Sequence, residues 1–188
     1  MPDDIKTVSL YERDFSAWAL AQAEALRAAR DAVLSGGRRR ADLPSVLRTL
    51  DWDNLAEEIE GLARKDRREL ASRITTIIEH LVKLQHSTAR DPRAGWMETI
   101  GHARSEIEDI LRDSPSLRRV VDEVIADKRA RSVMLAAKSL VEYGEVTEAT
   151  AARLNAPYSV DQVVGDWWPE SPAAPLKRKS PRAVDLKE

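Results

Sequence analysis

The chain has 188 residues, 33% of them charged and 43% hydrophobic, with no cysteine and a formal net charge of −2. This length fits one domain with a buried core, and the composition is that of a soluble globular protein. The lack of cysteine excludes disulfides, thiol catalysis and thiolate metal sites. The small net charge predicts no general attraction to nucleic acid or to anionic lipid.

No targeting or membrane segment is evident in the sequence. Residues 1–10 lack the basic region and apolar run of a signal peptide. No stretch approaches the roughly 18 consecutive apolar residues of a membrane-spanning helix. We therefore expect a cytoplasmic protein.

The first predicted helix begins with a capping box, in which Ser9 is the N-cap and Glu12 is at position N3. Its apolar periodicity continues to about Leu34, and Ser35-Gly36-Gly37 ends it because paired glycines disfavour a helix. A basic loop follows, and Asp42-Leu43-Pro44 predicts a short helix that reaches about residue 50.

The longest predicted helix runs over residues 50–85, with Asp51 or Asp53 as its cap. A third helix begins at Asp91-Pro92 and ends at Ser114-Pro115, where a fourth begins. Tyr143-Gly144 is a typical helix end and closes the fourth helix.

The C-terminal region contains one more helix signal. Ser159 and Gln162 repeat the capping-box pattern and predict a short helix that ends at Trp167-Trp168-Pro169. Prolines alternate with small and charged residues over 169–188, which predicts a disordered tail. Because no strand alternation occurs, the sequence predicts an all-α helical bundle of about four main helices plus short accessory helices, in a single domain over 1–168.

Several motifs together resemble a bacterial all-helical family known as domain of unknown function twenty-nine. The motifs are Tyr11-Glu12-Arg13-Asp14-Phe15-Ser16-Ala17-Trp18, Asp53-Asn54-Leu55-Ala56-Glu57-Glu58-Ile59-Glu60, His80-Leu81-Val82-Lys83, Gly95-Trp96 with Thr99-Ile100 and Arg104, Asp113-Ser114-Pro115-Ser116-Leu117-Arg118, and Pro157-Tyr158-Ser159. The resemblance implies a small helical domain and supplies no activity. It also implies that residues 32–49 are an insertion.

Polar residues fall within or beside the apolar face of the long helix, where they are costly to bury unless they are paired. Arg104 lies in the apolar sector of the third helix, so it is expected to need a carboxylate partner, for which Asp66, Glu69 and Glu58 are the candidates. This candidate polar network is either a structural ion-pair cluster or a site. Its members are Glu58, Asp66, Glu69, Arg73, His80 and Arg104.

A second polar group follows successive i, i+4 steps on the third helix. Carboxylate and imidazole at this spacing bind divalent metals in some bundles. Glu98, His102 and Glu106 form the group. Because these residues face the predicted solvent side and no paired Glu-x-x-His motif accompanies them, we predict no metal site and no cofactor.

The fourth helix changes its apolar face partway along. The first-half face contains Leu117, Val120, Val121 and Val124, and the nearly opposite second-half face contains Val133, Met134, Ala137, Leu140 and Val141. The helix is therefore expected to kink near Lys128, or its second half packs on the C-terminal segment or on another subunit. Trp167 and Trp168 are expected to dock on the bundle or, if one is exposed, to anchor a partner.

Two short basic clusters, Arg38-Arg39-Arg40 and Lys177-Arg178-Lys179 with Arg182, lack interleaved aromatic residues. We interpret them as solubilising charge, so nucleic-acid binding is not expected. The leading hypothesis for function is a helical module that acts through protein–protein contact, including self-association as a homo-oligomer. The alternative is an enzyme or a ligand- or metal-binding domain that uses a polar pocket around Glu58, His80 and Arg104.

Overall fold

The computed structural model describes residues 8–35, 51–170 and 172. The described residues form helices and no strand, which confirms the predicted all-α bundle. The helices are α1 (Leu10–Arg13), α2 (Phe15–Ser35), α3 (Trp52–His86), α4 (Arg93–Asp113), the 3₁₀ helix η1 (Pro115–Val120), α5 (Val121–Glu142), α6 (Glu148–Ala151) and α7 (Val160–Val164).

Helix α3 is the centre of the bundle and contacts α2, α4 and α5. Helix α2 runs antiparallel to it, since Arg27 pairs with Glu60 while Arg30 pairs with Asp53. Helix α4 is also antiparallel to α3, whereas α5 runs alongside α3 in the same direction. For α4, the contacts that show this are Asp66 with Ser114 and Arg73 with Glu106. For α5, they are Arg67 with Glu123 and Ser87 with Glu145.

The core is apolar and is centred on the C-terminal half of α3. Its largest fully buried side chains are Leu70, Ile74, Ile77, Ile78, Leu81, Leu84, Ile100, Ile107, Ile125, Leu140, Val82 and Val163. Burial of a side chain of this size stabilises the fold by about 1.5–3 kcal/mol. Within the described residues, no helix has the length and apolar character needed to cross a membrane.

The first helix is interrupted at Asp14, which the prediction of one helix from Leu10 to Leu34 missed. The Ser9–Glu12 capping box forms as predicted, but Asp14 has extended backbone angles, φ −159° and ψ 91°. The Asp14 carboxylate instead accepts the backbone N–H of Ala17 at 2.9 Å and so caps α2. Two helices therefore replace the predicted one.

For the fourth helix, the predicted kink near Lys128 is wrong, whereas the alternative of packing on the C-terminal segment agrees with the contacts of α5 with α6 and α7. Ser114-Pro115 begins η1, and α5 then continues through Lys128 without interruption. The buried positions of its second half are Ser132, Ala136 and Leu140, which continue the phase of Val121 and Ile125. The change of apolar face predicted a kink because the small buried residues Ser132 and Ala136 carry little hydrophobic signal.

Three other predicted helix ends agree with the structure. Asp51 caps α3 by accepting the N–H of Asn54, and the Ser159–Gln162 capping box begins α7. Gly144 follows α5 with φ +69°, and this left-handed conformation is the usual helix C-terminal role of glycine.

Some predictions fall on residues that lie outside the described part of the chain. They are the short helix at 42–50, the basic loop at Arg38-Arg39-Arg40, most of the insertion at 32–49, and the tail beyond 170 with its basic cluster, of which only Pro172 is described.

Candidate functional site

Arg104 of α4 contacts the C-terminal segment of the chain. Its Nε donates to the carbonyl of Val163 at 3.0 Å, and its Nη2 donates to the carbonyls of Gln162 and Trp167 at 2.9 and 2.8 Å. The guanidinium therefore satisfies two carbonyls in the last turn of α7 and one in the segment that follows it. It also lies 4.8 Å from the ring centroid of Trp168.

These contacts correct the expectation that Arg104 pairs with Asp66, Glu69 or Glu58. Burial lowers the pKa of Arg104, and the nearby Asp166 carboxylate partly opposes that change. The planar fork of a guanidinium fits several carbonyls at once, so no direct carboxylate contact is needed.

The other members of the candidate polar network fall into separate small clusters. The hydroxyl of Ser114, which is fully buried, donates to Asp66 at 2.9 Å and accepts the N–H of Ser16 at 3.1 Å. The Arg73 guanidinium lies 3.5 Å from Glu69 and 3.1 Å from Glu106, so it pairs α3 with α4.

Glu58 and His80 do not share a site. Glu58 is exposed, whereas Nδ1 of His80 lies 2.9 Å from the carbonyl of Thr76. They are 22 residues apart on the uninterrupted α3, which is about 33 Å along a helix axis. Arg104 and Glu106 are about 200° apart around α4, so the Arg73 ion pair and the Arg104 contacts lie on different sides of that helix.

The group at i, i+4 spacing on α4 is divided between two roles. His102 is 3.8 Å from Glu98 and both are largely exposed, while Glu106 pairs with Arg73. Among residues 8–35 and 51–170, no group of three or more histidine and acidic side chains is placed to hold a metal ion.

An apolar groove lies between α5 and α6 and has a volume of about 740 Å³. We call it the α5–α6 groove. It is lined by Ala130, Val133, Met134, Ala137, Lys138, Val141, Glu142, Glu148, Ala151, Ala152 and Leu154. Four of the five predicted interface residues of α5 line it, and the fifth, Leu140, is buried in the core instead. Met134 is 61% exposed.

The two tryptophans at the end of the domain have different environments. Trp167 packs against the core and lies 5.7 Å from the ring centroid of Tyr158. Trp168 is 37% exposed and covers the Arg104 guanidinium. Both therefore help to hold the C-terminal segment on α4 and the core.

Two polar features were missed from the sequence. Lys83 is 8% exposed and its Nζ donates to Glu79 at 2.6 Å, and the i, i+4 spacing was the available signal. A cationic surface also forms between α3 and α5. The sequence signal for this surface was two basic runs on predicted helices, residues 64–68 and 127–131. The basic clusters that were interpreted from the sequence lie in the predicted loop and tail instead.

Comparisons with known proteins agree with this architecture. A family model described as "Domain of unknown function DUF29" matches residues 10–169. The crystal structure of an α-helical protein of unknown function from Rhodospirillum rubrum is similar, with 27% sequence identity and a TM-score of 0.64. The alignment covers 85% of this chain and 91% of that one. None of the curated proteins matches the chain.

Proposed function

The chain belongs to the DUF29 family of helical domains, and from its own surface we propose that it acts as a self-associating module. A second copy of the chain is the proposed partner, and the α5–α6 groove is the proposed contact. The observation that carries this proposal is the exposed Met134 beside an apolar groove of about 740 Å³.

The spacing of residues along α5 supports contact with another helix. Ala130, Met134, Ala137 and Val141 are separated by four, three and four residues, which is the repeat that places one seam of a helix against a partner helix. Two of these positions are alanines, and small side chains allow two helices to approach closely. A seam of this kind, with no part of the described chain filling the groove, favours a helical occupant.

The edges of the groove favour a second copy over an unrelated charged partner. They contain Lys138 and also Glu142 and Glu148. A two-fold interface brings the same patch from both subunits together. A rim with both signs of charge can pair with itself, whereas a rim of one sign would repel itself. In such a dimer, Met134 of each subunit inserts into the α5–α6 groove of the other subunit. It also lines the groove that receives the partner's Met134.

The test is the mass of the protein in solution by multi-angle light scattering over a wide range of concentration. We expect a dimer for the natural chain and a monomer for Met134→Lys, because the substitution places a charge in an apolar contact. Met97→Lys is the matched control, since Met97 is 43% exposed on α4 and outside the groove. It is expected to stay dimeric. A natural chain that is monomeric at the highest concentration would overturn the proposal.

The lack of cysteine allows a second test that does not depend on the folding of a charged variant. Met134→Cys and Met97→Cys each introduce the sole thiol of the chain. A bifunctional maleimide is expected to cross-link Met134→Cys into covalent dimers and to leave Met97→Cys mainly monomeric. Equal cross-linking of the two variants would contradict an interface at the groove.

The alternative function, a polar pocket around Glu58, His80 and Arg104, has no comparable support. The three side chains have separate environments, and the Arg104 donors already contact carbonyls. We therefore propose no reaction for this domain.

A further inference from the structure

A cationic groove runs between α3 and α5. It consists of two adjoining depressions of about 280 and 340 Å³, which share Arg68, Ala71 and Lys128. The first also contains Arg64, Arg67, Glu123 and Asp127, and the second also contains Ser72, Thr75, Thr76 and Arg131. The groove shares no lining residue with the α5–α6 groove.

The two depressions differ in how their positive charge is neutralised. In the first, Arg67 lies 2.9 Å from Glu123, and Arg64 lies 3.1 Å from Glu60. Lys128, shared by both depressions, pairs with Asp127 at 2.7 Å. The second depression is lined by no carboxylate.

Arg68 and Arg131 supply the positive charge of the second depression that no carboxylate of residues 8–35 or 51–170 neutralises. Among the described residues, Arg68 donates only to the backbone carbonyl of Arg64, at 3.2 Å, and Arg131 has no carboxylate partner. Both side chains are exposed. They lie on neighbouring helices and line the same cavity of about 340 Å³, which is the observation from which a shared anionic ligand is argued.

Of the three hydroxyl groups in the second depression, only that of Ser72 keeps its hydrogen for a ligand. Thr75 and Thr76 donate to the carbonyls of Ala71 and Ser72, at 2.8 and 3.2 Å. The Ser72 hydroxyl has no hydrogen-bond partner within the described part of the chain and is exposed. Guanidinium groups and a hydroxyl without an acidic neighbour suit a phosphate group, whose oxygens accept several hydrogen bonds at once.

We infer that the Arg68–Arg131 depression binds the phosphate group of a small phosphorylated molecule. The size of the depression fits one or two phosphate groups rather than a duplex. The described residues that line it include no aromatic side chain, and single-stranded nucleic acids are generally held by stacking on aromatic residues. The net charge of −2 also gives the protein no long-range attraction to a nucleic-acid polyanion.

The experiment is isothermal titration calorimetry of the full chain with pyrophosphate, inorganic phosphate and a short single-stranded DNA. Pyrophosphate is expected to bind one site per chain and more tightly than inorganic phosphate. Arg68→Gln and Arg131→Gln are each expected to weaken pyrophosphate binding roughly tenfold.

Arg90→Gln is the control variant. Arg90 is exposed, follows the C-terminal end of α3 and has no carboxylate partner among the described residues. Arg90 follows His86, the last residue of α3, which is ten residues after Thr76 and therefore about 15 Å from it along the helix axis. The Arg90→Gln variant is expected to bind pyrophosphate with the same affinity as the natural chain. Circular dichroism establishes that each variant is folded.

Three results would overturn the inference. They are no binding of pyrophosphate by the natural chain, equal weakening by Arg90→Gln, and tighter binding of the DNA than of pyrophosphate. The last result would identify a nucleic-acid backbone as the ligand. Amide chemical shifts add a test of location, since pyrophosphate is expected to move those of Ser72, Thr75 and Thr76.

Discussion

The carboxylate of Asp14 accepts two hydrogen bonds from Ser116, which lies 102 residues further along the chain. The Ser116 backbone N–H donates to Oδ2 at 2.6 Å, and the Ser116 hydroxyl donates to Oδ1 at 2.9 Å. The same carboxylate caps α2 by accepting the N–H of Ala17. One side chain therefore begins α2 and joins it to η1, and it connects two of the motifs that carry the family resemblance.

Replacement of Asp14 by alanine is expected to destabilise the domain by about 2 kcal/mol, since a helix cap and the partly buried acceptor of the two Ser116 hydrogen bonds are lost together. The free energy of unfolding in urea, followed by circular dichroism, measures this effect. Asp113→Ala is the control, because Asp113 is exposed and surface substitutions usually change stability by under about 0.5 kcal/mol. Equal effects of the two substitutions would argue against a special role for Asp14.

Replacement of Arg104 by methionine is expected to cost roughly 2 kcal/mol, because three carbonyls of the C-terminal segment lose a charged donor. Arg104→Lys is expected to recover only part of that loss, since an ammonium group lacks the planar fork. Hydrogen exchange is expected to increase over residues 159–168, where the contacted carbonyls lie.

The control for this prediction is Arg112→Met. Arg112 has a side chain that is 65% exposed and pairs with Asp109 on the surface, and such pairs contribute about 0–1 kcal/mol. Unchanged amide hydrogen exchange over residues 159–168 in Arg104→Met would contradict the prediction that the Arg104 contacts stabilise this segment.

Two glycine substitutions are expected to have opposite effects on stability. Gly144 has φ +69°, so Gly144→Ala is expected to destabilise the domain by about 1 kcal/mol, although an added Cβ meets no atom within 4 Å. Gly101 lies inside α4, also with open space at its Cβ, so Gly101→Ala is expected to stabilise by about 0.5–1 kcal/mol. Urea unfolding of both variants measures these changes, and the same sign for both would contradict the backbone argument.

Partial burial of His86 lowers its pKa by desolvation of the charged ring. The unfolded chain therefore takes up a proton at a higher pH than the folded chain does, near the ordinary value of about 6.5. The contribution of neutral His86 to the free energy of unfolding is therefore fully present above about pH 6.5. This contribution falls as the pH drops from about 6.5 toward the lowered pKa of His86 in the folded chain.

The measurement is the free energy of unfolding across this range for the natural chain and for His86→Asn. The variant is expected to lose less stability on acidification. His102→Asn serves as the control, because its side chain is 77% exposed. A pH dependence of His86→Asn identical to that of the natural chain would show that burial of His86 is not linked to folding.

The predicted helix ends that were correct depend on contacts within a few residues. Ser9 with Glu12, Ser159 with Gln162, and Gly144 all act through hydrogen bonds or backbone angles close in sequence. The break at Asp14 had a short-range signal, since aspartate is a preferred N-cap and its carboxylate accepts the N–H of Ala17, but the link from Asp14 to Ser116 could not be predicted because only the folded bundle brings the two residues together. For the same reason, the partners assigned to Arg104 were wrong, since the carbonyls of residues 162–167 are more than 50 positions away.

The sequence by itself determined the helical class, most caps and most helix boundaries, since periodicity and capping are short-range properties of the chain. The tertiary structure decided which polar side chains meet. It separated Glu58, His80 and Arg104, and it brought Arg68 and Arg131 to one cavity. It also placed Leu140 in the core and left Met134 exposed. The physical reason is that a helical wheel gives the direction of a side chain around its own helix, whereas its neighbours depend on how the helices pack.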